Sequence, residues 1–151
     1  MKKYLLLTLT LFLLSCNDKE EQGVETSNAQ LVVLFSPYGL GDMGYYDKIL
    51  QGLQSVRKER EEMESFFYTP ESLEEAERIF SDWLSAEANG KPSLFVFTTH
   101  DYEELAYKYL KDTHRLPEGK SVLLFESSNP DELPLHHFQI SMYGASYLAG
   151  V

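Results

Sequence analysis

Residues 39–44 read GLGDMG, a G-x-G-x-x-G that follows the apolar run LVVLF and precedes a helix-like pattern. Glycines at that spacing let a backbone approach a pyrophosphate at a helix N-terminus, which is dinucleotide chemistry. The surroundings argue against it. The first glycine of such a fingerprint ends its strand, whereas Ser36, Pro37 and Tyr38 intervene here. Asp42 sets an anion where two phosphates would lie, and the second apolar run ends in Tyr68-Thr69 rather than in a ribose-binding acid. No cofactor is expected.

Other reactive constellations are sparse. The chain has no G-x-S-x-G elbow. His136 and His137 are adjacent on a predicted strand, so they point to opposite faces and cannot grip one metal together. His100 and His114 have no partner at ligand spacing, and the one cysteine leaves no thiolate cluster. The carboxylate pairs Glu61-Glu62 and Glu74-Glu75 fall on solvated helix faces. Nothing here sets a nucleophile beside a base, so the expectation is a binding protein rather than an enzyme.

The elements that must position any site follow from periodicity. Residues 31–35 form a continuous apolar run, as in a parallel strand buried on both faces. Residues 45 to about 64 carry apolar side chains at three-to-four spacing (Tyr46, Ile49, Leu50, Leu53, Val56), which predicts a helix. Residues 66–68 read as a short strand. Thr69 is then placed to cap a helix with Pro70 at its first position and Leu73, Ala76, Phe80, Trp83 and Leu84 inward. Residues 94–97 and 122–125 read as strands, 103–110 as a helix between them, and 136–140 as a fifth, shorter strand. This alternation predicts an α/β fold with a parallel sheet flanked by helices.

Ligands of such sheets bind outside the carboxyl ends of the strands. The residues there are 36–45, Thr69, Thr98-Thr99-His100 and Glu126-Ser127, all polar or glycine-rich against apolar strands. Loop ends of this kind also cap helices, so each residue keeps a structural alternative. Asp42 serves equally as a helix cap, Tyr45 as core packing, and Glu126 as a loop residue.

The ends of the chain speak to location. Lys2 and Lys3 precede an apolar stretch, residues 4–14, too short for the roughly 20 residues of a spanning helix. Residues 1–15 therefore read as a signal peptide. Leu13-Leu14-Ser15-Cys16 resembles a bacterial lipobox, which implies lipidation of Cys16 and a membrane-anchored protein of the cell envelope, on its periplasmic or surface face. Residues 16–30 are polar and aperiodic, as in a flexible tether, leaving 31–151 as one α/β lobe. The formal net charge of −11 argues against nucleic acid as a partner. Residues 141–151, SMYGASYLAGV, read as the start of a helix without a cap or polar tail, so the lobe is expected to be cut in mid-element.

Taken in order, several of these segments resemble the basic membrane lipoprotein family of solute-binding proteins. Asp42-Met43-Gly44-Tyr45-Tyr46 is similar to the family's Asp-x-Ser-Phe-Asn signature and Gly52-Leu53 to its Gly-Leu pair. LFVFTTHDYEEL, residues 94–105, matches the third strand and its loop, and residues 143–150, YGASYLAG, match the E-G-S-Y-L-A-G element. The resemblance implies the amino-terminal lobe of a type I periplasmic-binding-protein fold. It implies a lipoprotein that hands a nucleoside-like ligand to an ABC permease. Carried over by residue, Asp42 binds base or sugar, Tyr45 stacks on the base, and Glu126 holds ribose hydroxyls, with His100 at the same edge. Tyr45 stands for the family's Phe, Tyr46 for its Asn and Glu126 for its Asp. An alternative remains: a lipid-anchored interaction or scaffold domain, or a remnant that no longer binds a small ligand.

Overall fold

The structure, a computed structural model, describes residues 28–41 and 43–139. The expected signal segment, Cys16, most of the expected tether, Asp42 and the segment from 140 to 151 lie outside the described residues. Strand β1 spans Gln30–Leu34, helix α1 Tyr45–Glu59, β2 Glu64–Tyr68, α2 Leu73–Ser85 and β3 Ser93–Phe97. A 3-10 turn at His100–Tyr102 leads into α3, Glu103–Leu110, followed by β4, Lys120–Phe125, and β5, His136–Phe138. All strands are parallel, in the order β2-β1-β3-β4-β5. The expected α/β fold with a parallel sheet and flanking helices is what forms.

Period-two alternation sorts the strand residues onto two faces. Leu31, Val33, Phe35 and Val96 pack against Tyr46, Ile49, Leu50 and Leu53 of α1. Val32, Leu34, Phe95, Phe97, Val122 and Leu124 pack on the opposite face against α2 and α3. The centre of that second layer is aromatic. Phe80 meets Phe95 at 5.0 Å and Phe97 at 4.9 Å edge to face, and stacks on Trp83 at 5.9 Å. Such pairs add roughly 0.5–1.5 kcal/mol each beyond area burial. Among the described residues no helix is long and apolar enough to cross a membrane.

Several boundaries differ from the sequence expectation, among them β2, which begins at Glu64, and β5, which ends at Phe138; three differences have a physical reason. Helix α1 stops at Glu59, not near 64, because Glu64 is taken into the sheet, its N–H donating to the Ala29 carbonyl at 2.9 Å. The charged run at 59–62 has no apolar side chain to hold a further turn onto the sheet. Helix α2 is capped by Ser72 rather than Thr69: the Ser72 hydroxyl accepts from the Glu75 N–H at 3.2 Å. The Glu75 carboxylate reaches back to the Glu71 N–H at 2.8 Å, a variant of the capping box carried by Ser72-x-x-Glu75. Strand β4 begins at Lys120, two residues earlier than its apolar run.

Lys120 explains that early start. Its ammonium is buried and donates to the carbonyls of Trp83, Leu84 and Ala86 at the end of α2. It also lies 5.1 Å from the centre of the Trp83 ring. Helix α2 has no basic residue in its own last turn, so β4 supplies the cation that its C-terminal dipole favours. Burial pushes the Lys120 pKa below its usual value. Beside it, Trp83 Nε1 donates to Ser93 Oγ at 2.7 Å and Ser93 donates to Gln30 Oε1 at 2.8 Å, which fastens α2 to β3 and β1.

Replacing Lys120 by Met keeps the apolar stem but removes the donor that three carbonyls at the end of α2 share. The expected loss is about 2 kcal/mol of unfolding free energy, read from urea denaturation with an unchanged m-value. An unaltered midpoint would show that the ammonium contributes nothing net.

Candidate functional site

The winding of this sheet reverses between β1 and β3. Helix α1 leaves β1 on one face, whereas α2 and α3 lie on the other. The chain therefore departs in opposite directions from the carboxyl ends of two adjacent strands, a switch point of the kind at which open α/β sheets receive ligands. The segments that border it are the glycine loop after β1, the turn after β3 and the loop after β4.

The glycine loop is shaped from α1. Both carboxylate oxygens of Asp47, in the first turn, accept loop amides: Gly41 N–H at 3.0 Å and Met43 N–H at 2.6 Å. Gly41 has φ +94°, a conformation costly for a side chain with a Cβ. A Cβ on Gly39 would lie 2.6 Å from the Tyr46 ring, so that glycine is required by packing. Amides that a pyrophosphate would need are thus already bonded to a carboxylate. The N-cap of α1 is Gly44, which has no side chain to serve as cap acceptor. Asp42, the acid singled out by the sequence, lies outside the described residues.

Three of the four expected ligand residues meet at this edge. Tyr45 opens α1, His100 opens the turn after β3, and Glu126 follows β4. Glu126 Oε2 lies 3.7 Å from His100 Nδ1, and His100 Nε2 lies 3.7 Å from Asp101 Oδ1. The Tyr45 hydroxyl is buried and has no hydrogen-bond partner among the described residues. Burial, followed by the negative charge of Glu126 and by Tyr46, pushes its pKa up to about 12. Tyr45 therefore keeps its proton at neutral pH, as a donor beside a carboxylate. Its ring meets that of Tyr46 edge to face at 5.1 Å.

Glu126 is held in an unusual backbone state. Its φ is +62°, a left-handed conformation that costs a non-glycine residue of order 1 kcal/mol. Its N–H is fixed to the Phe138 carbonyl at 2.6 Å, so β5 holds the backbone of Glu126 in place.

The neighbouring polar residues are structural. Thr98 donates to the Leu34 carbonyl at 3.1 Å, and Thr99 accepts from the Asp101 N–H at 3.3 Å. Ser127 donates to the Glu103 carboxylate and also accepts from the Asn129 N–H at 2.9 Å. Thr69 is exposed beyond the edge strand. His136 and His137 are exposed, in register with Leu123 and Leu124, and so on opposite faces. Among the described residues no group of three His, Cys, Asp or Glu could hold a metal ion.

Sequence reasoning missed Asp47, Tyr102 and Asn129. Asp47 looked like any acid in a first helical turn. The buried Tyr102 hydroxyl donates to the Phe35 carbonyl at 2.8 Å and ties the turn after β3 to the end of β1. Asn129 clamps the loop after β4, accepting from the Leu133 N–H at 2.9 Å and donating to its carbonyl at 3.0 Å. The signal for Asn129, an Asx residue before a proline, is too common to single out a clamp.

Two substitutions check this geometry. Tyr45→Phe removes a buried hydroxyl without a partner, so the ligand-free protein should gain about 1 kcal/mol. Between pH 10, the ordinary tyrosine value, and about 12, the native Tyr45 holds a proton that the unfolded one releases. Wild-type stability therefore falls across that window, and Tyr45→Phe should lose less there. Asp47→Ala should speed amide exchange at Gly41 and Met43 at least tenfold, by about 1.4 kcal/mol of lost protection, with little change in global melting. Unchanged exchange would mean that the loop holds itself. No family model matches this chain, and no curated protein or solved structure is significantly similar to it.

Proposed function

We propose that this chain is the binding lobe of a lipid-anchored solute-binding protein, anchored at Cys16, which takes a neutral, hydroxyl-rich, nucleoside-like ligand and serves an ABC importer. The observation that carries the reading is the meeting of Tyr45, His100 and Glu126 at the carboxyl edge where the sheet winding reverses. A carboxylate there accepts from two vicinal hydroxyls or from ring N–H groups. The partnerless Tyr45 hydroxyl donates to a ligand acceptor, and His100 adds a second polar contact from β3. A neutral ligand suits a site of which the flanking charges, Glu126 and Asp101, are negative. The order of motifs along residues 31–151 supports the same class.

A second reading, an interaction domain without a small ligand, is favoured by one observation: the exposed aromatic edge of β2, where Phe66 and Tyr68 are 41% and 39% accessible.

Titration calorimetry with a panel of nucleosides tests the first reading. Binding is expected, with Glu126→Gln weakening it roughly tenfold or more, since each tenfold is about 1.4 kcal/mol and a charged acceptor contributes at least that. Tyr45→Phe should weaken binding while raising ligand-free stability, a split that packing alone does not produce. No heat with any nucleoside, or full affinity in Glu126→Gln, would sink the proposal. For the anchor, labelling with palmitate should mark the wild type and leave Cys16→Ser unmarked.

A further inference from the structure

Strand β2 closes the sheet on one side, and among the described residues no strand lies beyond it. The phase of its backbone is known at both ends. Glu64 donates its N–H to Ala29, and the Tyr68 carbonyl accepts from Phe35. N–H and C=O of one strand residue point the same way, and the direction alternates along the strand. Glu64, Phe66 and Tyr68 therefore face β1, and Ser65 and Phe67 turn their backbone groups outward. The strand reads ESFFY, with its only charge, Glu64, paired to Lys91 at 3.4 Å. Edge strands are ordinarily blunted by lysine, proline or a bulge; this one is not.

Beside the edge runs a groove of about 300 Å³ with an apolar floor that includes Val32, Phe66, Tyr68 and Ile79. Its wall on α2 carries both signs of charge: Arg78 lies 3.9 Å from Glu75 and 3.6 Å from Asp82.

We propose that β2 pairs antiparallel with β2 of a second copy of this chain, about a two-fold axis through Phe66, so that the two sheets run on as one. Only a register centred on a residue keeps each face of the joined sheet on its own side. The register centred on Phe66 pairs the whole strand: Phe66 with Phe66, Ser65 with Phe67, and Glu64 with Tyr68. It also agrees with the backbone phase. Ser65 and Phe67 form the hydrogen-bonded pairs, about four N–H···O bonds across the axis, and Phe66 forms the close, non-bonded pair. Two phenyl rings meet over the groove, as cross-strand aromatic pairs favour. Tyr68 of each copy faces the Glu64 carboxylate of the other as a donor, so no like charges oppose one another. The mixed-sign wall of α2 lets two copies approach without a single-sign rim, which a chance peptide partner would not match by symmetry.

The test is register-specific cross-linking of the full chain in a Cys16→Ser background. The net negative charge opposes association at low salt, so the work belongs near physiological ionic strength. A non-bonded antiparallel pair brings Cα atoms to about 4.5 Å, within disulfide reach. Phe66→Cys should give a disulfide-linked dimer on mild oxidation. Ser65→Cys and Phe67→Cys alone should not, because each faces the other residue across the axis. Sedimentation should show the cysteine-free chain at twice its monomer mass and Phe66→Lys at the monomer mass. Equal cross-linking at 65, 66 and 67, or a cysteine-free chain that sediments as a monomer, overturns the proposal. So does a chain that self-associates equally well with Phe66→Lys, which would place the contact elsewhere. None of these outcomes depends on whether a nucleoside binds.

Discussion

Strand β1 is paired in parallel on both edges and packed on both faces, and this double enclosure governs the rest of the fold. Val33, Leu34 and Phe35 have no accessible surface. A parallel neighbour can be reached only through a crossover, and a crossover covers one face. Covering both faces of β1 therefore forces α1 to one side and α2 with α3 to the other. The reversal of winding at the carboxyl ends of β1 and β3 is a geometric consequence of burying that strand.

The two ends of the sheet then do different work. At the amino end, Lys120, Trp83, Ser93 and Gln30 satisfy one another and lock a helix terminus to three strands. At the carboxyl end, polar groups are held apart from full satisfaction. A tyrosine hydroxyl lacks a partner among the described residues, a glutamate sits in a left-handed backbone state, and a histidine lies between two carboxylates at hydrogen-bond-excluding distance. Unsatisfied groups and local strain persist when the surrounding structure holds them, and they gather where a ligand is received. Here the holders are identifiable: the Phe138 carbonyl for Glu126, the α1 terminus for Tyr45, and Tyr102 for the turn that presents His100.

The glycine-rich loop illustrates how one motif changes meaning with its partner. Its three glycines match a phosphate cradle in spacing. In the folded chain the amides of that loop face the carboxylate of Asp47, so the loop carries its own anion. A carboxylate of the same chain, bound at fixed geometry, holds that place without the ordering entropy a free phosphate would lose.

By itself the sequence determined the α/β class, the five strands, the set of polar residues beyond each strand and the inward faces of the three helices apart from Leu73 and Val56, which are 58% and 44% exposed. These depend on local periodicity, with the period of two in strands and 3.6 in helices set by backbone geometry. It also carried Tyr45, His100 and Glu126 as candidates, since strand order alone sends them to one edge. Tertiary structure decided what no local pattern encodes. It decided that Lys120 caps a helix 34 residues earlier in the chain, at the carbonyl of Ala86. It made Asp47, not a glycine, the organiser of the loop, and it set Glu126 beside His100 with its N–H bonded to the Phe138 carbonyl. Contacts of this kind join residues remote in the chain, so their energies appear only once the sheet has brought them together.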